Sequence, residues 1–299
     1  MLREYAIEPT LIDGFTSARY FLEKFGCDRG RLVGDYPGGW ALSVLAALTC
    51  APVEKARVEV LLARAKAAIV NRPGSTYDTG MSWLDQALVE DRRLPGLEFH
   101  ALLADGVQRD PKVMNGRDID EADTRWAVET DALVKRQVPP MADTVTCLLQ
   151  ASRHVRFIDP YFDGRPHKSA VVREFVRRAG AANRHGKPPT LEIHGANAKG
   201  ASQAFVDEGL RLFALQLPAG VTVAYYQWSE RPGGEQFHNR YVLTDLGGVE
   251  FASGLDSKGG GATDRVSLLS EATRRALWPR FDSGSMVYQL DVPATVLKR

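Results

Sequence analysis

Phe237-His238-Asn239-Arg240-Tyr241-Val242-Leu243-Thr244-Asp245, followed at once by Leu246-Gly247-Gly248, reads as a strand that ends in a turn. On an extended strand, residues two apart face the same way. His238 and Arg240 are therefore expected to project together, with Tyr241 and Leu243 packing on the other side. Asp245 falls where the strand gives way to the Gly-Gly turn. A histidine that titrates near neutrality, beside a guanidinium that never loses its charge, suits chemistry on a phosphate.

Outward from this run the chain alternates. Upstream stand a strand over 154–162, a helix over 169–182, a strand over 190–195, a helix over 202–215 and a strand over 221–228. The Gly-rich loop Arg231-Pro232-Gly233-Gly234-Glu235 then delivers the central strand. Downstream, Gly247-Gly248 turns the chain into a strand over 249–253, and a helix over 270–278 and a strand over 286–292 follow. Strands and helices in this order predict a mixed sheet with helices on both faces, an α/β/α sandwich. Residues 1–138 read as a mainly helical domain, with helical spacing over 18–25, 40–48, 53–70, 81–89 and 121–137 and a polar loop over 105–123. Pro139-Pro140 marks the expected boundary, giving domains 1–138 and 139–299.

The 299 residues suffice for two domains, and 44% hydrophobic with 25% charged residues is an ordinary composition for a folded chain. A net charge of +1 supplies no global basic field, so a nucleic acid would need a local patch. Cys27, Cys50 and Cys147 are far apart and form no C-x-x-C pair, so they read as reduced core thiols. The chain has no apolar run long enough to span a membrane and no signal-like start. A cytoplasmic protein with no membrane partner is the expectation.

The run His238-x-Arg240-x-x-x-x-Asp245 resembles the H-x-K-x-x-x-x-D motif of the phospholipase D superfamily, with arginine in place of lysine. The family's following Gly-Ser-x-Asn is echoed by Ala252-Ser253-Gly254, with Asp256 further on. The resemblance covers roughly residues 140–299, including an early strand ending in Asp159-Pro160-Tyr161. It implies a phospholipase D-like sandwich in which one histidine attacks phosphorus and a second protonates the leaving oxygen, with no metal or cofactor. His238, Arg240 and Asp245 are then the catalytic candidates. One motif per chain implies a homodimer that pairs two His238 residues across a twofold axis. His185-Gly186-Lys187 with Glu192 matches a second motif in letters alone, because Pro188-Pro189 interrupts any strand there. His167-Lys168 begins a helix.

Ser253, Asp256, Asp159, Tyr161, Asn197 and Lys199 are expected to line the same cleft and bind substrate. The bland alternatives are plain: Asp245 as a turn residue, Tyr161 as an interface tyrosine, Asn197 and Lys199 as loop groups. The basic helix carrying Arg173, Arg177 and Arg178 reads as a solvated face, since Val172, Phe175 and Val176 already form its buried side. Two functions follow. The first is a metal-independent phosphodiesterase, read as a nuclease. The second is a phospholipase D-like binding or regulatory module without turnover, recognising nucleic acid or a protein partner, with residues 1–138 selecting the partner. Such pairings resemble accessory proteins of bacterial defence.

Overall fold

The computed structural model describes residues 1–106, 110–181, 184–197 and 202–299. The chain divides into two compact units, Met1–Thr130 and Asp131–Arg299.

The first unit is built on a parallel sheet, which corrects the expectation of a mainly helical domain. Its strands are β1 (Arg3–Ile7), β2 (Arg31–Gly34), β3 (Ile69–Val70), β4 (Ala101–Ala104) and β5 (Val113–Asn115). They stand in the order β3-β2-β1-β4-β5 and every pairing is parallel. The helices α1 (Phe15–Leu22), α2 (Trp40–Ala47), α3 (Pro52–Ala65) and α4 (Trp83–Arg93) connect them. These strands are short and buried, so they carry no polar–apolar alternation by which to recognise them. Tyr36, Trp83, Phe99 and Leu102 form an apolar cluster of this unit. Trp40 is buried and donates its indole N–H to the Ile7 carbonyl at 2.7 Å.

The second unit begins with β6 (Asp131–Lys135) and α5 (Val138–Ala151). A helix was expected over 121–137, and Pro139-Pro140 was expected to separate the domains. Instead the boundary falls earlier, and both prolines lie in the first turn of α5. Proline is tolerated there because the first amides of a helix have no intrahelical partner. Then come β7 (His154–Ile158), α6 (Ala170–Ala181), β8 (Thr190–Ala196), α7 (Gln203–Ala214) and β9 (Thr222–Glu230). The chain closes with β10 (Tyr241–Thr244), β11 (Gly248–Phe251), β12 (Thr263–Leu268), α8 (Glu271–Leu277), β13 (Tyr288–Leu290) and β14 (Thr295–Lys298).

The strands form one sheet in the order β13-β9-β8-β7-β10-β11-β12-β6, with β14 also pairing on β9. β7, β8 and β9 are parallel. From β10 onward through β11 and β12 to β6, each strand is antiparallel to its neighbour. The alternating α/β order read from the sequence is thus present as a mixed sheet. On one face α6 packs through Phe175, whose ring lies 5.9 Å from both Phe157 and Phe251. The other face is covered by the end of the chain, where Leu277 and Phe281 join Ile158, Tyr241 and Leu243 in one buried cluster. Among the described residues no helix is long and apolar enough to cross a membrane.

Candidate functional site

β7 is the strand at which the order of the sheet reverses. The chain leaves it for β8 on one side, and β10 later enters on the other. In open α/β sheets, ligands settle outside the carboxyl ends of the strands at such a reversal. A cleft of about 210 Å³ lies there. Asp159, the first residue past β7, lines it together with Tyr161 and Phe162. Arg240, immediately before β10, faces them. Ser253, Gly254, Asp256 and Lys258, from the segment after β11, close another side, and Arg136 and Lys168 complete the wall.

Four cations therefore meet two carboxylates. Asp256 is held between two of the cations: Arg136 binds it directly, and Lys168 Nζ lies 3.2 Å from its Oδ2. Gly254 makes this possible. Its φ of 147° suits glycine, and a Cβ there would sit 2.9 Å from Asp256 Oδ1 and 3.2 Å from Arg136 Nη2. Asp159 is buried, and its two oxygens accept the amides of Tyr161 at 2.9 Å and Leu255 at 3.0 Å. Burial raises its pKa, against the pull of those two amides and of the Arg240 charge.

Arg240, unlike Arg136 and Lys168, forms no ion pair with Asp256. Its guanidinium lies 4.9 Å from the centre of the Tyr161 ring, a cation–π distance. Its Nε, like that of Arg136, is buried with no hydrogen-bond partner. A buried, unengaged donor on a permanent cation is costly unless a ligand satisfies it.

The remaining candidates divide. Asp159, Tyr161, Arg240, Ser253 and Asp256 are brought together in the cleft. His238 lies in the irregular stretch before β10, exposed, with Nδ1 3.2 Å from the Gln236 carbonyl. The central strand expected from His238 starts only at Tyr241, because β7 ends with Ile158, its partner. The chain ahead is drawn off the sheet by Phe237, buried against Phe281 and Tyr288 at 5.6 and 5.0 Å. Asp245 does not meet His238. It lies at the far end of β10, where its Oδ1 accepts the amides of Arg153 and His154 at 3.0 and 3.2 Å. Those bonds make it a turn residue rather than a partner of the imidazole. Asn197 is exposed and its Oδ1 accepts from Gln227 at 3.1 Å, apart from the residues lining the cleft. Lys199 lies outside the described residues.

Arg136, Lys168 and Lys258 went unrecognised in the sequence. Arg136 could be reached only by reading β6 as a strand, and Lys168 stood in view beside His167. Among the described residues no group of three or more His, Cys, Asp or Glu side chains is arranged to hold a metal ion.

No protein-family description matches the chain. No curated protein matches it either. Among solved structures it is similar to TrmBL2, described as an archaeal chromatin protein with a novel mode of DNA binding. The identity is 8% and the TM-score 0.27, and the match covers 57% of this chain and 57% of that one, little more than half of either.

Proposed function

We propose that residues 131–299 form a phospholipase D-like domain whose cleft receives a phosphodiester, as found along a nucleic acid backbone. The observation that carries this reading is Arg240, a cation in the cleft whose Nε is buried without a partner. Three further cations beside it favour an anion, and a guanidinium can grip two phosphate oxygens at once. The alternating order of strands and helices and a cleft beyond β7 that Arg240 lines support the family resemblance.

Hydrolysis is the second reading, favoured by one observation about His238. With its N–H directed from Nδ1 to the Gln236 carbonyl, Nε2 keeps the free lone pair that a nucleophile needs. In that reaction Nε2 bonds to phosphorus, the ester P–O bond breaks, and the His238 imidazole of a second copy gives its proton to the leaving oxygen. Water then displaces the histidine from phosphorus and yields a proton to that second imidazole.

The test is titration of the full chain with sulfate and with a short oligonucleotide, before and after Arg240→Ala. Losing a charged hydrogen-bond pair should weaken both by roughly tenfold to a hundredfold. A wild-type chain that binds neither anion removes the proposal. Turnover of an activated phosphodiester in EDTA, lost in His238→Ala, selects hydrolysis. Binding without turnover selects recognition alone.

A further inference from the structure

β6 ends the sheet, with β12 on one side and, among the described residues, no strand on the other. Its middle residue, Leu133, is 77% exposed. Folded chains generally blunt such edges with prolines, bulges or charges, because an open strand is a template for another. Here the strand is Asp131-Ala132-Leu133-Val134-Lys135, with the two opposite charges at equal distance from the leucine.

The hydrogen-bond alternation decides which residues face outward. Antiparallel partners exchange both bonds at every second residue. Ala252 N donates to Arg265 O at 3.1 Å and Leu269 N to Gly248 O at 2.8 Å, so the odd-numbered residues of β12 bond to β11. Its even-numbered residues therefore bond to β6, where Asp264 stands opposite Val134 and Val266 opposite Ala132. Arg136 N donating to Ala262 O at 2.8 Å continues the same phase. Asp131, Leu133 and Lys135 thus turn their amides to the open edge, as Asp131 and Leu133 do their carbonyls, while the Lys135 carbonyl also accepts the Gln137 amide at 2.8 Å.

We propose that β6 is a self-pairing edge, joining two copies of the chain antiparallel about a twofold axis at Leu133. In this register Leu133 meets Leu133 of the second copy, and Asp131 meets Lys135 of the second copy on both sides of the axis. Asp131 already accepts from Arg265 at 2.6 Å, so each contact extends a ladder of alternating charge. A shift of two residues either way sets Leu133 against a charged residue, Asp131 or Lys135, and moves the leucines apart. A five-residue strand pair falls short of the roughly 1,200 Å² of a standard interface, so the complex is a weak one with a dissociation constant in the micromolar range. Because the strands run in opposite directions, the clefts beyond β6 lie at opposite ends of the joined sheet. This axis does not pair two His238 imidazoles, and the inference stands independently of the cleft's chemistry.

Sedimentation equilibrium of the full chain over a dilution series tests it. The wild type should dimerise, and Leu133→Lys should lose the dimer. Asp131→Lys and Lys135→Asp each place like charges opposite one another twice, and each should raise the dissociation constant roughly tenfold or more. An equimolar mixture of those two variants restores unlike pairs and should recover the wild-type constant, which no loss of folding can imitate. A wild type that stays monomeric throughout, a Leu133→Lys chain that dimerises like the wild type, or a mixture no tighter than its components would each overturn the proposal.

Discussion

Asp159 is a carboxylate placed where an anion is expected to bind, and its protonation sets the charge of the cleft. Burial raises its pKa, with Asp256 adding to the rise and the amides of Tyr161 and Leu255 and the Arg240 charge opposing it. As pH falls through that raised value the carboxylate is neutralised and the cleft gains one positive charge. Sulfate, whose own charge stays constant, should therefore bind more tightly toward acid, by roughly tenfold for one charge a few ångström away. Asp159→Asn should flatten this dependence while losing one of the two amide contacts. Sulfate titrations across pH check the point, and tighter binding toward alkali would refute it. At this scale the sequence carried part of the site. The pairing of Arg240 with Asp159-Pro160-Tyr161 was readable, because strand ends beside a chain reversal collect ligand groups. The role assigned to Asp245 was not sound, since only the register of β10 against β7 reveals that it sits a whole strand away from Arg240.

The elements are held by a second polar cluster, on the sheet face that the end of the chain covers. Arg156 of β7 bonds Glu192 of β8 at 2.8 Å, the Trp278 carbonyl at 2.7 Å and Asp282 at 2.7 Å, and its guanidinium lies 4.1 Å from the Trp278 ring centre. It therefore ties the segment after α8 to the parallel strands. Removing one member of a buried ion pair leaves the other uncompensated, so Arg156→Met should cost about 3–5 kcal/mol in denaturant unfolding. His194 is fully buried, accepting the Trp228 indole N–H on Nδ1 at 3.0 Å and offering Nε2 to Glu192 at 3.1 Å. Burial lowers its pKa, so the folded imidazole stays neutral while the unfolded one takes a proton near its ordinary value of about 6.5. Stability from His194 is thus lost as pH falls through that value, by at most about 1.4 kcal/mol per pH unit. Glu192 acts next. Burial alone would raise its pKa, but hydrogen bonds from His154 and His194 and the Arg156 charge hold it well below the usual range. Its contribution is present above about pH 4.3 and is lost below. Asp159, with its raised pKa, works in the opposite sense. Thermal melts should therefore show a drop from pH 7.5 to 5 that His194→Gln lessens, and an unchanged slope in that variant would refute the assignment. Elements of this unit were legible where helix and strand periods alternate over long runs. β6 was not, because three apolar residues between two charges fit either period.

The division of the whole chain decides what can be separated. Every side chain that lines the cleft, from Arg136 to Lys258, belongs to the unit that starts at Asp131. The tandem prolines suggest a cut at residue 139, but that cut removes β6 and with it Arg136, which binds Asp256. It also strips β12 of its outer neighbour and exposes the backbone groups of Asp264 and Val266 that face β6. A fragment of residues 131–299 should thus fold cooperatively and keep the sulfate affinity of the full chain within a few-fold. A fragment of residues 139–299 should lose sulfate binding by roughly tenfold or more, the effect of removing a charge-assisted contact, and should unfold at lower denaturant. Both comparisons need only expression of the two fragments, sulfate titration and urea unfolding. Equal affinity and equal stability in the two would show that the strand before the prolines is dispensable and return the boundary to Pro139-Pro140. Retained binding in the longer fragment alone would locate phosphate recognition wholly in the second unit.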